Sequence, residues 1–73
     1  MYDFVSADSG ISLTDAEKEA LFYLMQGDTQ AQVALRLGIK ERSVNRRLES
    51  VRKKTNSKST IEAVVYAIRN QLL

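Results

Sequence analysis

The sequence of 73 residues contains neither cysteine nor histidine. Without cysteine the chain can form no disulfide and no thiolate metal site. The absence of histidine removes the commonest general base and metal ligand. The longest apolar runs are far shorter than a membrane span, and the chain does not open with a signal-peptide pattern. We therefore expect a cytoplasmic protein with no metal site, no cofactor and no membrane partner.

Two further absences argue against an enzyme. The chain has no glycine-rich phosphate loop, and a domain of this size buries only roughly 60–65% of its unfolded surface, which leaves little room for a deep pocket. Asp15 and Glu17 are close enough in sequence to suggest an acid and base pair, but helix capping explains both residues better. We predict that the protein is not an enzyme and that this domain binds no small molecule.

The charges that are present are strongly polarised along the chain. Residues 1–28 carry six acidic residues and one lysine, for a net charge of −5, whereas residues 29–73 carry ten basic and three acidic residues, for a net charge of +7. Residues 40–58 contain eight basic and two acidic residues. This polarity indicates that one face of the protein meets a polyanion. A solvated basic helix is the alternative interpretation.

Hydrophobic periodicity and capping residues predict four helices and no strand, hence a compact all-α domain. The first helix opens at Thr14 with a capping box to Glu17 and ends at Gly27. Its apolar stripe consists of Ala20, Leu21, Leu24 and Met25. The second helix runs from about Gln30 to Leu37 after an N-cap at Thr29, and the third from about Glu41 to Thr55. The fourth helix runs from Thr60 to about Leu72, after Ser59 and a second capping box to Glu62. Residues 1–12 show no sustained period and are predicted to be a flexible lead or a linker remnant, although Tyr2, Phe4 and Val5 are an apolar group able to fold back onto the core.

The stretch from Gln30 to Thr55 has the layout of a helix-turn-helix. Gly38 ends the second helix, whose predicted buried side is Ala31, Val33, Ala34 and Leu37, and Ile39 is expected to anchor the turn in the core. The third helix carries Val44, Leu48 and Val51 on one face, and its opposite face carries Arg42, Arg46, Glu49 and Lys53. A short helix that braces a basic helix across a tight turn is the arrangement that places the second helix in the major groove of DNA.

These residues resemble the LuxR/GerE-type helix-turn-helix domain of quorum-sensing regulators, response-regulator output domains and small stand-alone regulators. The resemblance covers about Leu13 to Leu73. It rests on Leu13-Thr14-x-x-Glu17, Gly27 before Thr29, Ala34, Leu37-Gly38-Ile39, Ser43-Val44, Leu48, Lys54 and Glu62-Ala63-Val64. It implies a DNA-binding transcription regulator and slightly favours the autoinducer-responsive members. The sequence departs from the family pattern at Lys40, where an N-capping Ser or Thr is usual, at Arg47, where many members have His, and at Thr55-Asn56 and Thr60.

The helical wheel divides the candidate DNA contacts into two groups. Arginine suits the guanine O6/N7 pair, asparagine suits adenine N6/N7, and glutamate accepts from cytosine N4. The residues that point most directly away from the core are therefore predicted to contact bases: Arg42, Asn45, Arg46 and Glu49. Glu49 has the alternative of pairing with Arg46 or Lys53 along the helix. The flanking residues and the start of the second helix are predicted to contact phosphates: Thr29, Gln30, Ser43, Arg47, Ser50, Lys53 and Lys54.

The fourth helix is apolar over more of its circumference than one small core requires. This excess predicts a homodimer with a two-fold axis, in which the fourth helix meets its equivalent. The residues assigned to that interface are Ile61, Val64, Val65, Ile68 and Leu72. The alternative is a terminal helix that is simply well buried.

A competing function is a protein-interaction module. In that interpretation the domain binds RNA polymerase or silences a related regulator by forming mixed dimers, and the basic helix contacts an acidic partner. Binding to random DNA would argue against it. Double-stranded DNA is the partner that the residues favour.

Overall fold

A computed structural model of the protein describes residues 10–73. This part of the chain forms four α-helices and no strand: α1 is Asp15–Met25, α2 is Gln30–Leu37, α3 is Glu41–Thr55 and α4 is Thr60–Arg69. The all-α, four-helix architecture predicted from the sequence is therefore confirmed. Tyr2, Phe4 and Val5 lie outside the described residues, as does most of the predicted lead. No helix in residues 10–73 is both long and apolar enough to cross a membrane.

Helix α3 lies at the centre of the domain, because it packs against each of the other three helices. Its buried face consists of Val44, Leu48 and Val51, as the apolar spacing predicted. Ile39 packs against the core from the turn between α2 and α3, which confirms its predicted role. The other buried apolar residues come from the remaining helices and the start of α1: Leu13, Ala20, Leu21, Val33, Ala34, Ala63 and Ala67.

The helix starts follow the capping residues that the sequence provides. Thr14 and Glu17 form the predicted capping box at α1, and Thr29 forms another with Gln32 at α2. At α4 the Ser59 hydroxyl accepts from the Glu62 N–H, but the Glu62 carboxylate accepts from the N–H of Lys58 at 2.7 Å. The second capping box predicted there is therefore wrong by one residue, because the Glu62 side chain is long enough to reach past the cap.

All four helices end with the same hydrogen-bond pattern. A residue with positive φ follows the last turn, and the next N–H donates to a carbonyl five residues earlier, over 2.8–3.2 Å. This is the Schellman motif, which satisfies carbonyl groups that the helix leaves free. The positive φ falls on Gly27 and Gly38, where the sequence predicted the ends of α1 and α2, and on Asn56 and Gln71, where glycine gave no signal.

The C-terminal motif shortens α4 relative to the prediction. Helix α4 ends at Arg69 instead of about Leu72, because Gln71 turns to φ 54° and the Leu72 N–H donates back to the Ala67 carbonyl. The Asn70 side chain reinforces the end by donating to the Tyr66 carbonyl. Leu72 then packs against the core from outside the helix.

Two residues predicted to face the core are exposed. Ala31 lies in the first turn of α2, where the burial of Val33 and Ala34 turns it to solvent. Met25 ends α1 and is 47% exposed. Both lie at helix ends, where no neighbouring helix covers the apolar stripe.

Candidate nucleic-acid interface

The outward face of α3 is formed by polar residues that the helical period sets opposite the core. Arg42, Asn45, Arg46, Glu49 and Lys53 are all exposed, whereas Val44, Leu48 and Val51 are buried. The four residues predicted to contact bases therefore share one surface. Lys53, predicted to contact phosphate, lies on the same surface one turn further along.

No intramolecular ion pair engages this face within residues 10–73. The three ion pairs in that range involve Arg36, Arg47 and Lys54. Glu49 accordingly pairs with neither Arg46 nor Lys53, which were its alternative partners. A face with three unpaired cations, one carboxylate and one amide carries donors and acceptors that match the edges of base pairs in the major groove.

One flank of α3 is bound to the first turn of α1 by a buried carboxylate. Glu17 is only 4% exposed, although it is charged. One of its oxygens accepts from the Lys54 ammonium at 2.8 Å and the other from the Ser50 hydroxyl at 2.6 Å. Lys54 also donates to the carbonyl of Ser12 at 3.2 Å. Ser50 and Lys54 thus hold two helices together, a role that the sequence did not predict, and the phosphate contact predicted for them stays a prediction.

The environment of Glu17 favours its ionised form. Burial raises the pKa of the carboxyl group. The hydrogen bonds from Lys54, Ser50 and the Thr14 N–H, together with the charge of Lys54, outweigh burial and leave the pKa below its usual value. The carboxylate is therefore negative at neutral pH and keeps Lys54 in place.

Arg47 links the same two helices while remaining in part accessible. Its guanidinium donates to the Ala16 carbonyl at 3.3 Å and lies 3.6 Å from the carboxylate of Glu19. The Arg47 side chain is 25% exposed. Because a guanidinium has five N–H donors, these two contacts leave others for a phosphate.

The start of α2 presents free backbone donors. The N–H groups of Thr29 and Gln32 are used in the capping box, and the Val33 N–H donates to the Thr29 carbonyl. Within residues 10–73 the N–H groups of Gln30 and Ala31 have no acceptor, and they lie at the positive end of the helix dipole. This is the end of α2 at which a phosphate was predicted to bind.

Helix α2 is itself braced against α1. The Arg36 guanidinium pairs with the Asp28 carboxylate and lies over the Tyr23 ring, 5.4 Å from its centroid. A cation over an aromatic face adds to the ion pair. The two helices that support α3 are therefore fixed to each other as well as to it.

A match to a family model covers residues 11–67 of this chain, and that model describes the luxR family of bacterial regulatory proteins. The chain belongs to the luxR family. Membership confirms the helix-turn-helix resemblance and identifies this luxR-family domain as a DNA-binding module of transcription regulation, not an enzyme.

Three curated relatives are similar to the luxR-family domain over most of its length. The transcriptional activator proteins AhyR of Aeromonas hydrophila and AsaR of Aeromonas salmonicida are each 39% identical to it over 62 residues. The transcriptional activator protein AnoR of Acinetobacter nosocomialis is 39% identical over 61 residues. These alignments cover 84–85% of this chain but only 24–26% of the relatives. The chain thus spans about a quarter of the length of the proteins that it matches.

Glu17 is the residue of this luxR-family interface that sequence reasoning missed. Its spacing from Thr14 predicted a capping box, and that role accounted for the residue completely. The contacts with Ser50 and Lys54 join positions more than thirty residues apart, and no local period reports such a distance. An acidic residue three positions after a cap gives no sign that the same carboxylate is buried.

Only three of the five residues predicted to form the dimer lie on the exposed surface of α4. Ile61, Val65 and Ile68 are 77%, 40% and 52% exposed and form an apolar stripe. Val64 and Leu72 pack in part against the domain's own core. Ala63 and Ala67 are fully buried, so their small side chains let α4 approach the core closely.

Proposed function

We propose that this domain binds specific sites in double-stranded DNA with α3 in the major groove. The observation that carries the proposal is the exposed face of α3, whose polar side chains have no intramolecular ion pair within residues 10–73. Side chains held on a rigid helix and left unpaired are suited to read base edges, because their hydrogen bonds are completed only by the partner.

The proposed contacts follow the exposure of each side chain. Base edges are read by Arg42, Asn45, Arg46 and Glu49. Phosphates are held by Arg47 and Lys53, by the Ser43 hydroxyl, and by the Thr29 hydroxyl and Gln30 N–H at the start of α2. Lys54 adds a phosphate contact through the ammonium N–H that Glu17 and Ser12 leave free, and Ser50 lies on the same flank with its hydroxyl donating to Glu17.

We also propose that two copies bind together through α4. Ile61, Val65 and Ile68 form an exposed stripe on a helix whose other side is in the core. Burying this stripe against an equivalent helix removes apolar surface from water. Two recognition helices related in this way read inverted half-sites about 10 base pairs apart.

Selection of bound sites from a pool of random duplex DNA tests the proposal. We expect the domain to enrich an inverted repeat with half-sites about one helical turn apart. The Asn45→Ala variant is expected to lose the preference at one position in each half-site, and Leu35→Ala, at an exposed residue of α2 outside the proposed contacts, to recover the same repeat as the native chain. Retention of DNA without enrichment would contradict sequence-specific binding.

The same experiment separates DNA binding from the protein-interaction alternative. A module that binds RNA polymerase, or that silences a related regulator in mixed dimers, would retain no duplex even at low salt. The names of the three relatives favour activation of transcription as the result of DNA binding. We expect this binding to take place in the cytoplasm. Contact with RNA polymerase would then be a second role of a DNA-bound dimer, and a signal of the quorum-sensing kind would act through regions outside this chain.

A further inference from the structure

The two sides of the apolar stripe on α4 differ in chemistry. On one side, Ile61, Val64 and Val65 line an apolar groove of about 280 Å³ together with Leu24 and Met25 from the end of α1. On the other side lie Glu62 and Arg69, in a more polar groove that the end of α3 completes. The stripe thus has an apolar flank and a charged flank.

Glu62 and Arg69 have opposite charges and are separated by about two helical turns, so they lie on the same flank of α4. Both are exposed. Neither takes part in an ion pair within residues 10–73, where the Glu62 carboxylate accepts a backbone N–H. The midpoint between them falls at Val65 and Tyr66, near the centre of the stripe.

This arrangement is complementary to itself in one orientation. A two-fold axis perpendicular to α4 makes the paired helices antiparallel and sets each flank against the same flank of the other copy. With the axis at Val65 and Tyr66, Glu62 of each copy lies level with Arg69 of the other. A parallel pair would instead set the charged flank against the apolar flank, which leaves charges opposite hydrocarbon.

The same antiparallel register places Ile68 of one copy at the apolar groove of the other. Ile68 borders the apolar flank and is 52% exposed. The two-fold axis places Ile68 of one copy beside the part of α4 between Ile61 and Val65 on the other copy. The groove between α1 and α4 lies at this level, and Met25, exposed at its rim, becomes covered when the groove is filled.

We propose that the occupant of this surface is a second copy of this chain, bound antiparallel, with two reciprocal Glu62–Arg69 ion pairs and with Ile68 of each copy in the groove formed by Leu24, Met25, Ile61 and Val64 of the other. The inference rests on the proposed dimer and adds its register, its orientation and the participation of α1. The charges select the partner, since a related chain without both charges in these positions loses a pair or meets a like charge.

Charge reversal tests the register by sedimentation equilibrium of the free chain at concentrations up to about 1 mM, because a single short helix face is far smaller than a stable interface. Glu62→Arg and Arg69→Glu each create two like-charge contacts, and each is expected to weaken self-association about tenfold. An equimolar mixture of the two variants forms a mixed dimer in which both contacts are attractive. The mixture is expected to regain the native association within about twofold.

The mixture controls for folding defects. Glu62→Arg also removes the acceptor of the Lys58 N–H, and mixing two chains cannot repair a defect inside one of them. If the mixture associates as weakly as its components, while Val65→Asp abolishes the native association, the dimer stands and the register is overturned. If the native chain does not associate at all and binds an inverted repeat no more tightly than two single half-sites, the proposed dimer is rejected. That result would not affect the proposed DNA contacts of α3.

A second pair of variants tests the groove. Met25→Ala and Ile68→Ala remove two sides of one proposed contact between copies, so the double variant is expected to lose less association than the product of the single losses. Phe22→Ala, which truncates an exposed aromatic residue of α1 that does not line the groove, is expected to have no effect. Multiplicative losses from Met25 and Ile68 would overturn the seating of Ile68.

Discussion

Glu17 occupies the third position of α1, and its carboxylate also accepts hydrogen bonds from Ser50 and Lys54 on α3. A buried carboxylate is tolerated only when its oxygens are satisfied, and here the Thr14 N–H, a hydroxyl and an ammonium satisfy them. The same carboxylate therefore caps the start of α1 and holds α3 in position.

Replacing Glu17 by glutamine is expected to lower the free energy of unfolding by about 1–2 kcal/mol at pH 7. The amide keeps an acceptor for the Thr14 N–H but loses the charge-assisted bond to Lys54, which is in part exposed. The depressed pKa of Glu17 gives a stabilisation that is present above the ordinary carboxyl value of 4.5 and is lost as the pH falls through the folded-state value.

Urea denaturation of the native chain and of Glu17→Gln between pH 3 and pH 7 measures this effect. The two free energies of unfolding should converge as the pH falls below about 4.5. Glu19→Gln is the matched control, since the Glu19 carboxylate is exposed and its ion pair with Arg47 is long, at 3.6 Å. This variant should lower the free energy of unfolding by less than about 1 kcal/mol. A difference for Glu17→Gln that does not change with pH would show that the charge is unimportant.

Arg46 and Lys53 separate the two kinds of DNA contact. Arg46→Ala is expected to cost about 1–3 kcal/mol of binding free energy and to relax the preference at one base pair. Lys53→Ala is expected to weaken binding to all sequences alike and to reduce the salt dependence by about one unit per contact. Binding isotherms on the selected site and on single-base variants distinguish these outcomes. The assignment of roles fails if both variants change affinity in the same way.

At the scale of the helices, the start of α3 is the one start among the four described helices without a side-chain cap. Lys40 has the extended backbone of an N-cap residue, with φ −77° and ψ 150°, but its side chain cannot accept a hydrogen bond. Its positive charge also lies at the positive end of the helix dipole. Helix α3 therefore gives up stability at its N-terminal end, the end that we propose approaches the bases.

Lys40→Ser is expected to raise the free energy of unfolding by about 0.5–1 kcal/mol, because serine caps an N–H of the first turn. The loss of a cation should weaken DNA binding at the same time. Thermal unfolding and a DNA titration measure the two effects. Lys58→Ser provides a control with the same change of charge outside α3, and an equal gain of stability there would show that capping is not the cause.

At the scale of the whole molecule, the acidic and basic parts of the sequence lie on different surfaces of the domain. Asp15, Glu19 and Asp28 lie on α1 or follow it, whereas three cations without an ion pair within residues 10–73 lie along α3: Arg42, Arg46 and Lys53. Helix α3 is central and yet has one exposed face, so the scaffold holds it from three sides. The domain can meet a polyanion through this face while α4 stays available on another side.

The affinity of the dimer for DNA is expected to fall with the logarithm of salt concentration with a slope of about −9, if each copy neutralises about five phosphates. Titrations of the selected site at several salt concentrations measure the slope. The Val65→Asp variant should show about half of it, since one copy then binds alone. A slope that is the same for both chains would contradict binding as a dimer.

Much of this domain follows from local sequence. The apolar spacing at Val44, Leu48 and Val51 fixes the inner face of α3 and thereby the outer one, since both are properties of one helix. Threonine and serine caps and two glycines give most helix ends, because capping acts within a few residues. The end of α3 at Thr55 was predicted, whereas the end of α4 and the positive φ of Asn56 and Gln71 were missed, since residues other than glycine adopt positive φ only when the surrounding structure compensates the cost.

The sequence alone determined the helices, the basic face and the resemblance to luxR-family regulators, because these depend on period, charge and short motifs. Only the tertiary structure decided which polar side chains of α3 are also bound to another helix. Ser50 and Lys54 lie on α3 like the residues predicted to meet DNA, yet the packing of α1 places Glu17 beside them. Likewise it directs Val64 and Leu72 inward and leaves Ile61, Val65 and Ile68 exposed. Such assignments depend on contacts between distant parts of the chain, which no local pattern encodes.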